Sequence, residues 1–150
     1  MKPVTFGIIG AGRIGKLHAD NLLSRVDGAR LKAITDPFLD EDWAASRNIP
    51  LTGKDHRILL DDPEIDAILI GSPSAEHAPQ MIECAEAGKH IFCEKPIALD
   101  PEIIRNALAE VDKSGVKLQV GFNRRFDPNF SAVQHQVASG GLGDPHIIRI

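Results

Sequence analysis

Cysteine, tyrosine and tryptophan are nearly missing from this chain: two Cys, one Trp and no Tyr in 150 residues. Cys84 and Cys93 have neither metal-ligand spacing nor the density of a disulfide scaffold, so both read as reduced, largely buried thiols. Basic charge is also short, with 17 Lys and Arg against 21 Asp and Glu and a formal net charge of −4. Without a basic block or an aromatic-interleaved basic stripe, the chain lacks the footprint of a nucleic-acid binder. No apolar run approaches the roughly 18 residues of a membrane span. The N-terminus leads straight into a strand pattern instead of a secretory signal. No ligand cluster for a metal is present, and no nucleophile elbow of a Ser/His/Asp hydrolase. Internal repeats and low-complexity linkers are lacking too. A cytoplasmic enzyme fits these absences, although composition alone fits many binding proteins equally well. The length fits one domain that buries about two-thirds of its unfolded surface.

Glycine, by contrast, is placed with purpose. Phe6 to Ile9 is a short apolar run, and Gly10-Ala11-Gly12-Arg13-Ile14-Gly15 follows it directly and opens an amphipathic segment. Strand, G-x-G-x-x-G, then helix is the order of a dinucleotide-binding loop. In that reading Gly10 makes the tight turn, Gly12 lets the backbone approach a pyrophosphate, and Gly15 lets helix and strand pack closely. Arg13 and Ile14 would present the helix N-terminus to the phosphates. A glycine turn without a ligand is the competing reading. Leu31 to Thr35 reads as the next strand and ends in Asp36, about 20 residues beyond the glycines, where such folds place an acid on the adenosine ribose. Asp36-Pro37 also suits a plain strand-ending turn. A 2′-phosphate roughly 4 Å from this carboxylate would meet about 1 to 4 kcal/mol of repulsion, about five-fold to a thousand-fold in affinity. No arginine directly follows Asp36, so NAD is favoured over NADP.

Strand and helix patterns alternate along the rest of the chain. Helix is expected from Glu41 to Asn48, a strand over Ile49–Thr52, and a helical turn over Asp55–Leu60. Ala67–Ile70, an apolar run between Asp66 and Gly71, reads as a strand buried on both faces. A helix is expected from His77 to Ala87, with Ala78, Met81, Ile82 and Ala85 on its core face and Gly88 as its stop. His90–Cys93 is the next strand. Asp100 caps a helix with Pro101 in first position and Ile103, Ile104, Ala107, Leu108 and Val111 as its stripe. Gly115 ends it, and Val116–Val120 is a further strand. The fold class is α/β, a doubly wound and mostly parallel sheet of the Rossmann type. Asp127 to Ser139 then reads as a helix and His146–Ile150 as the start of a strand. A strand needs a partner for its backbone. The expectation is therefore a cofactor domain over 1–122, with 123–150 as the crossover helix and first strand of an incomplete second α/β domain.

Ligands of open α/β sheets bind beyond the carboxyl ends of the strands. Three loops stand there: Gly71-Ser72-Pro73-Ser74, Glu94-Lys95-Pro96 and Gly121-Phe122-Asn123-Arg124-Arg125-Phe126. With the glycine loop and the Ser72-Pro73…His77 spacing, these motifs resemble the Gfo/Idh/MocA oxidoreductase family. The last of them, extended to Asp127, is most similar to its inositol 2-dehydrogenase members. The resemblance covers the whole chain and rests most specifically on Glu94-Lys95-Pro96. It implies NAD(P)-dependent oxidation of a hydroxyl on a sugar or cyclitol. It also implies that Lys95 lies beside the nicotinamide and hydrogen-bonds the reacting oxygen, after a cis bond to Pro96. Glu94 would contact the nicotinamide-side ribose or orient Lys95, and Ser72, Pro73 and His77 would border the cofactor. Family members take an Asp and a His, spaced Asp-x-x-x-His, from a second domain, the His acting as general base. No such motif occurs here, and His146 does not substitute for it. A homo-oligomer formed through that domain is implied as well.

A cation beside a developing alkoxide makes chemical sense without any relative, because charge is stabilised where it forms. Glu94 and Lys95 as an exposed loop pair is the bland reading. Asn123 has donor and acceptor equipment for a substrate hydroxyl. Arg124 and Arg125 suit either polar substrate oxygens or interdomain salt bridges. His77 either touches the cofactor loop or is structural. His18 and Met81 read as packing, and Trp43 as the anchor of a peripheral helix. The leading function is NAD-dependent oxidation of an inositol ring hydroxyl, with this chain as the cofactor-binding part. The alternatives are a sugar dehydrogenase or reductase of the same family, or a non-catalytic NAD(H)-binding redox sensor.

Overall fold

Apolar strand runs and amphipathic stretches alternate in space as they do in sequence, in a computed structural model that describes residues 2–149. The elements are β1 (Val4–Ile9), α1 (Arg13–Ser24), β2 (Ala29–Thr35), α2 (Glu41–Ser46), β3 (Leu51–Gly53), α3 (Arg57–Leu60), β4 (Ala67–Ile70), α4 (Ser74–Glu86), β5 (His90–Cys93), α5 (Pro101–Ser114) and β6 (Leu118–Val120). A 3-10 turn, Asn123–Phe126, and a last helix, α6 (Pro128–Ala138), follow. The strands form one six-stranded sheet in the order β3-β2-β1-β4-β5-β6, and every neighbouring pair is parallel. This is the Rossmann order, with its switch point between β1 and β4.

Successive residues of a strand point to opposite faces, and β4 shows what that requires. Ile68 and Ile70 enter one layer with Met81 and Cys84 of α4 and Ala107 and Val111 of α5. Leu69, between them, enters the other layer with Ala19 and Leu22 of α1 and Ala44 of α2. All four residues of β4 are buried, and each large aliphatic side chain so enclosed contributes about 1.5–3 kcal/mol. The caps of α5 follow the sequence: Asp100 accepts from Glu102 N at 2.8 Å, and Gly115 ends the helix at φ 73. Cys84 and Cys93 are free and buried.

Several boundaries differ from the sequence reading. α2 ends at Ser46, and Asn48 then turns the chain at φ 53. α4 starts at Ser74, not His77, and carries Pro79 inside. Its N-cap is Pro73, without a side-chain cap bond, so the usual start signal is missing from the sequence. Pro79 also removes the N–H that would reach the Ala75 carbonyl. β3 and β6 are three residues each, the latter starting two positions after Val116. α6 is capped by Asp127, which accepts from Asn129 N and Phe130 N. The expected strand over 146–150 is not formed: residues 145–149 adopt no regular structure and pair with no strand among the described residues. Ile150 itself lies outside the described residues.

Candidate cofactor and catalytic site

The turn after β1 uses its three glycines for different reasons. Gly10 takes φ 96, and a Cβ there would lie 2.6 Å from Ser72 N. At Gly15 a Cβ would lie 1.8 Å from the Gly10 carbonyl oxygen, so α1 approaches the strand only through a glycine. Gly12 has neither constraint. Its φ is −70, and a Cβ would meet nothing within 4 Å. The fold does not require glycine there, but a ligand lying on the backbone would. Gly12 is also the N-cap of α1, with no side-chain cap bond and no acidic residue in the first turn. The first N–H groups of α1 and its positive end therefore face open space, as an anion site requires. Arg13 is exposed there and Ile14 half-buried.

Asp36 lies at the end of β2 and does more than the sequence indicated. Its Oδ2 accepts from Ala11 N at 2.7 Å and its Oδ1 from Phe38 N at 2.8 Å, so it fixes the glycine loop directly. A carboxylate offers about four acceptor positions, which leaves two for ribose hydroxyls. Asp36, Gly10, Phe38, Ser72, Pro73 and Gln80 are among the residues lining a cleft of about 410 Å³ over this end of the sheet. Ser72 Oγ donates to Gln80 Oε1 at 2.6 Å, a contact not anticipated from the sequence. The cleft, the bare N-terminus of α1 and the carboxylate at the end of β2 together fit a dinucleotide.

On the far side of the switch point the Glu94-Lys95-Pro96 turn leaves β5 with a cis Lys95–Pro96 bond. Lys95 is exposed, and its ammonium has no hydrogen-bond or ion-pair partner among the described residues. Lys95, Phe122, Asn123 and Arg124 together line a second hollow of about 320 Å³. The residues proposed for substrate and catalysis are thus brought together although nearly thirty positions separate them. Arg124 is partly committed: its Nη1 lies 3.2 Å from Asp127 Oδ2, and its guanidinium stacks 4.8 Å from the Phe130 ring centre. The Asp127 carboxyl is held below its ordinary range, chiefly by the Phe130 backbone N–H.

The flanks of Lys95 are fixed by two histidines. His77 is only 2% exposed. Its Nδ1 lies 2.8 Å from the Pro96 carbonyl oxygen and its Nε2 2.8 Å from that of Ser72. His77 therefore links the two loops from beneath and does not face the cleft. His18 Nε2 donates to Glu94 Oε1 at 2.8 Å, while Lys95 N donates to Glu94 Oε2 at 3.3 Å. Sequence reasoning gave His18 to packing. Its ring does meet Phe92 edge-on at 5.4 Å, but the contact with Glu94 spans 76 positions and has no local signature. Cys93, beside this turn, has its thiol pushed up to about 12 by burial, which leaves it protonated and inert.

Comparison with known proteins places this architecture. The profile of the Gfo/Idh/MocA family, described as an oxidoreductase family with an NAD-binding Rossmann fold, matches residues 4–122. The chain belongs to this family. Residues 123 onward lie outside the matched span. An uncharacterized oxidoreductase of Bacillus subtilis, YrbE, is 51% identical over 99% of the chain and 44% of the relative. The myo-inositol 2-dehydrogenase of Thermotoga maritima is 41% identical over 96% of the chain and 43% of the relative. Among solved structures, scyllo-inositol dehydrogenase from Lactobacillus casei, with bound NAD(H) and scyllo-inositol, superposes with a TM-score of 0.89 at 36% identity. That match covers 95% of this chain and 43% of the other. The chain thus spans under half the length of the relatives it matches.

Proposed function

We propose that this chain is the cofactor-binding part of a dehydrogenase that oxidises a ring hydroxyl of inositol with NAD. The observation that carries the proposal is the hollow beyond β5 and β6, lined by Asn123, Arg124 and a Lys95 whose ammonium has no partner among the described residues. The inositol dehydrogenases among the relatives support the substrate class. Gly12, Arg13, Ile14 and Gly15 would seat the pyrophosphate, Asp36 the adenosine ribose, and Ser72, Pro73 and Glu94 the second half of the cofactor. Bound NAD would supply the hydride acceptor. Lys95 would hold the substrate oxygen by hydrogen bond and stabilise the negative charge that develops as its proton leaves. Asn123 and Arg124 would orient neighbouring hydroxyls. A general base would come from residues beyond these, as the family resemblance implies. Free, buried thiols at Cys84 and Cys93 are consistent with work in the reducing cytoplasm.

The division of labour at residue 122 supports this reading. α6 has no buried residue, and Val133 is 60% and Val137 37% exposed on it. Residues 123–150 would be the beginning of a second domain that supplies base, substrate walls and the contacts of a homo-oligomer. The test compares this chain with an extended parent, following NADH formation with myo-inositol, scyllo-inositol and a panel of sugars. The chain alone should bind NAD and turn over negligibly, because loss of a general base costs about 10² to 10⁴ in rate and orientation is lost as well. In the parent, Lys95→Ala should cut kcat severely and leave NAD affinity nearly intact. Turnover confined to sugars would move the substrate to the family's sugar dehydrogenases. Tight NAD binding with no turnover by the parent would favour the redox sensor.

A further inference from the structure

His18 lies outside every motif that identifies the site, yet it is bonded to the residue preceding Lys95. The adenosine half of a dinucleotide is referenced to Asp36 on the β2 side of β1, and the pyrophosphate to the first turn of α1. The second half must therefore cross to the ends of β4, β5 and β6. Glu94 stands there with its side chain 19% exposed. Two hydrogen bonds hold its carboxylate, from His18 of α1 at 2.8 Å and from the Lys95 backbone N–H at 3.3 Å, and Gly121 at the end of β6 borders it. A Cβ at Gly121 would lie 3.2 Å from both Cδ and Oε1 of Glu94, so the glycine leaves just enough room for the carboxylate. The His18 ring is itself steadied against Phe92.

We propose that His18 is a positioning residue that holds Glu94 in the orientation in which it receives the nicotinamide-side half of the cofactor. The helix that seats the pyrophosphate thereby also sets the geometry next to Lys95. His18 stands six residues after Gly12, about 9 Å along α1 at roughly 1.5 Å per residue. One rigid element thus references both halves of the ligand. The inference rests on the reading that Glu94 meets the second half of the cofactor, and the experiment separates the two.

Calorimetric titration of the chain with NAD+ and with ADP tests it. ADP retains the adenosine and pyrophosphate contacts and lacks the second nucleoside. His18→Ala should weaken NAD+ about tenfold, the scale of one hydrogen bond to a charged group, and change ADP by less than about twofold. His18→Gln, which returns an N–H near the position of Nε2, should restore most of the loss. In a Glu94→Ala background, His18→Ala should cost nothing further, because its route of action is gone. If Glu94→Ala weakens NAD+ and His18→Ala does not, the brace is refuted and the Glu94 contact survives. A parallel loss of NAD+ and ADP, accompanied by a lower Tm, would make His18 merely structural and overturn the proposal. Additive losses in the double variant would do the same. Unchanged NAD+ binding by Glu94→Ala would refute the Glu94 reading itself.

Discussion

Gly12 and Gly15 sit three residues apart in one motif, and their alanine variants should fail in opposite ways. At Gly15 the new methyl would lie 1.8 Å from the Gly10 carbonyl oxygen, a backbone atom, so α1 must move off the sheet. Such overpacking costs about 1–3 kcal/mol or more, roughly 2–12 °C in Tm for a domain of this size. At Gly12 the methyl meets nothing within 4 Å, and the backbone at φ −70, ψ −172 accepts alanine without strain. Alanine restricts the unfolded chain, which stabilises by about 0.4–1 kcal/mol, but it is the poorer N-cap by about 1 kcal/mol. The two nearly cancel, so Gly12→Ala should keep its Tm within a few degrees of the unmodified chain. Its damage should fall on the ligand. The methyl occupies the space where a pyrophosphate meets the first N–H groups of α1. One charge-assisted hydrogen bond lost there is about 1.5–3 kcal/mol, or about 10- to 150-fold in NAD+ affinity. Thermal denaturation and calorimetry on both variants decide the matter. Wild-type NAD+ affinity in Gly12→Ala would refute the assignment of this open space to the pyrophosphate. A Tm loss equal to that of Gly15→Ala would show that the fold itself needs the glycine.

Asp36→Asn keeps an acceptor for the Ala11 or Phe38 N–H while removing the charge, and is therefore a cleaner probe than Asp36→Ala. It should weaken NAD+ a few-fold and narrow the preference over NADP+, which the repulsion argument sets between about five-fold and a thousand-fold; equal affinities in the unmodified chain would defeat that argument. Away from the site, Asp62 is held below its usual 3.8, first by the Lys32 ammonium and then by the Glu64 N–H, with Lys32 Nζ at 2.6 Å. A lowered carboxyl pKa stabilises above the unfolded value and loses that contribution as pH falls from 3.8 through the folded pKa. The Tm deficit of Asp62→Asn should therefore be present at neutral pH and close in this acidic window, and a deficit constant across it would exclude the ion pair as its cause.

The fold was legible because its signals are local. Apolar runs such as Ala67–Ile70 are bounded by Asp66 and Gly71, and the glycine loop fixes the first βαβ unit, after which parallel strands joined by helices leave few topologies. The sequence misplaced the start of α4 because Pro73, its N-cap, makes no side-chain cap bond and so leaves no start signal. Of the strand expected over 146–150, residues 146–149 lack the partner that a strand needs among the described residues. At the site, the residue types of the motifs were readable and the contacts between motifs were not. The spacing of Asp36 points to a ribose, whereas its bond to Ala11 N, which joins two segments of the βαβ unit, has no signature in the sequence. His77 was a cofactor-loop candidate, yet at 2% exposure it ties Ser72 to Pro96 from below. His18 carries no motif at all, and only the packing of α1 across the sheet brings it to Glu94.

These contacts divide the site into two tiers of rigidity. The cofactor cleft is built at the ends of β1, β2 and β4 and on α4, elements whose core residues are enclosed on both faces of the sheet. Its glycine loop is pinned by Asp36, and its two distal loops are joined through the buried His77. The hollow at Lys95 is completed by Phe122, Asn123 and Arg124, all of them exposed and attached to an α6 that buries nothing. An orientation held by exposed side chains is not precise enough for hydride chemistry, which depends on sub-ångström placement of the reacting atoms. Cofactor recognition rests on the rigid tier, and on the proposed reading any discrimination among substrate hydroxyls would need Asn123 and Arg124 to be held more firmly than α6 holds them here. If that reading holds, substitutions in the first tier should change NAD affinity in calorimetry, and substitutions on α6 should leave it unchanged.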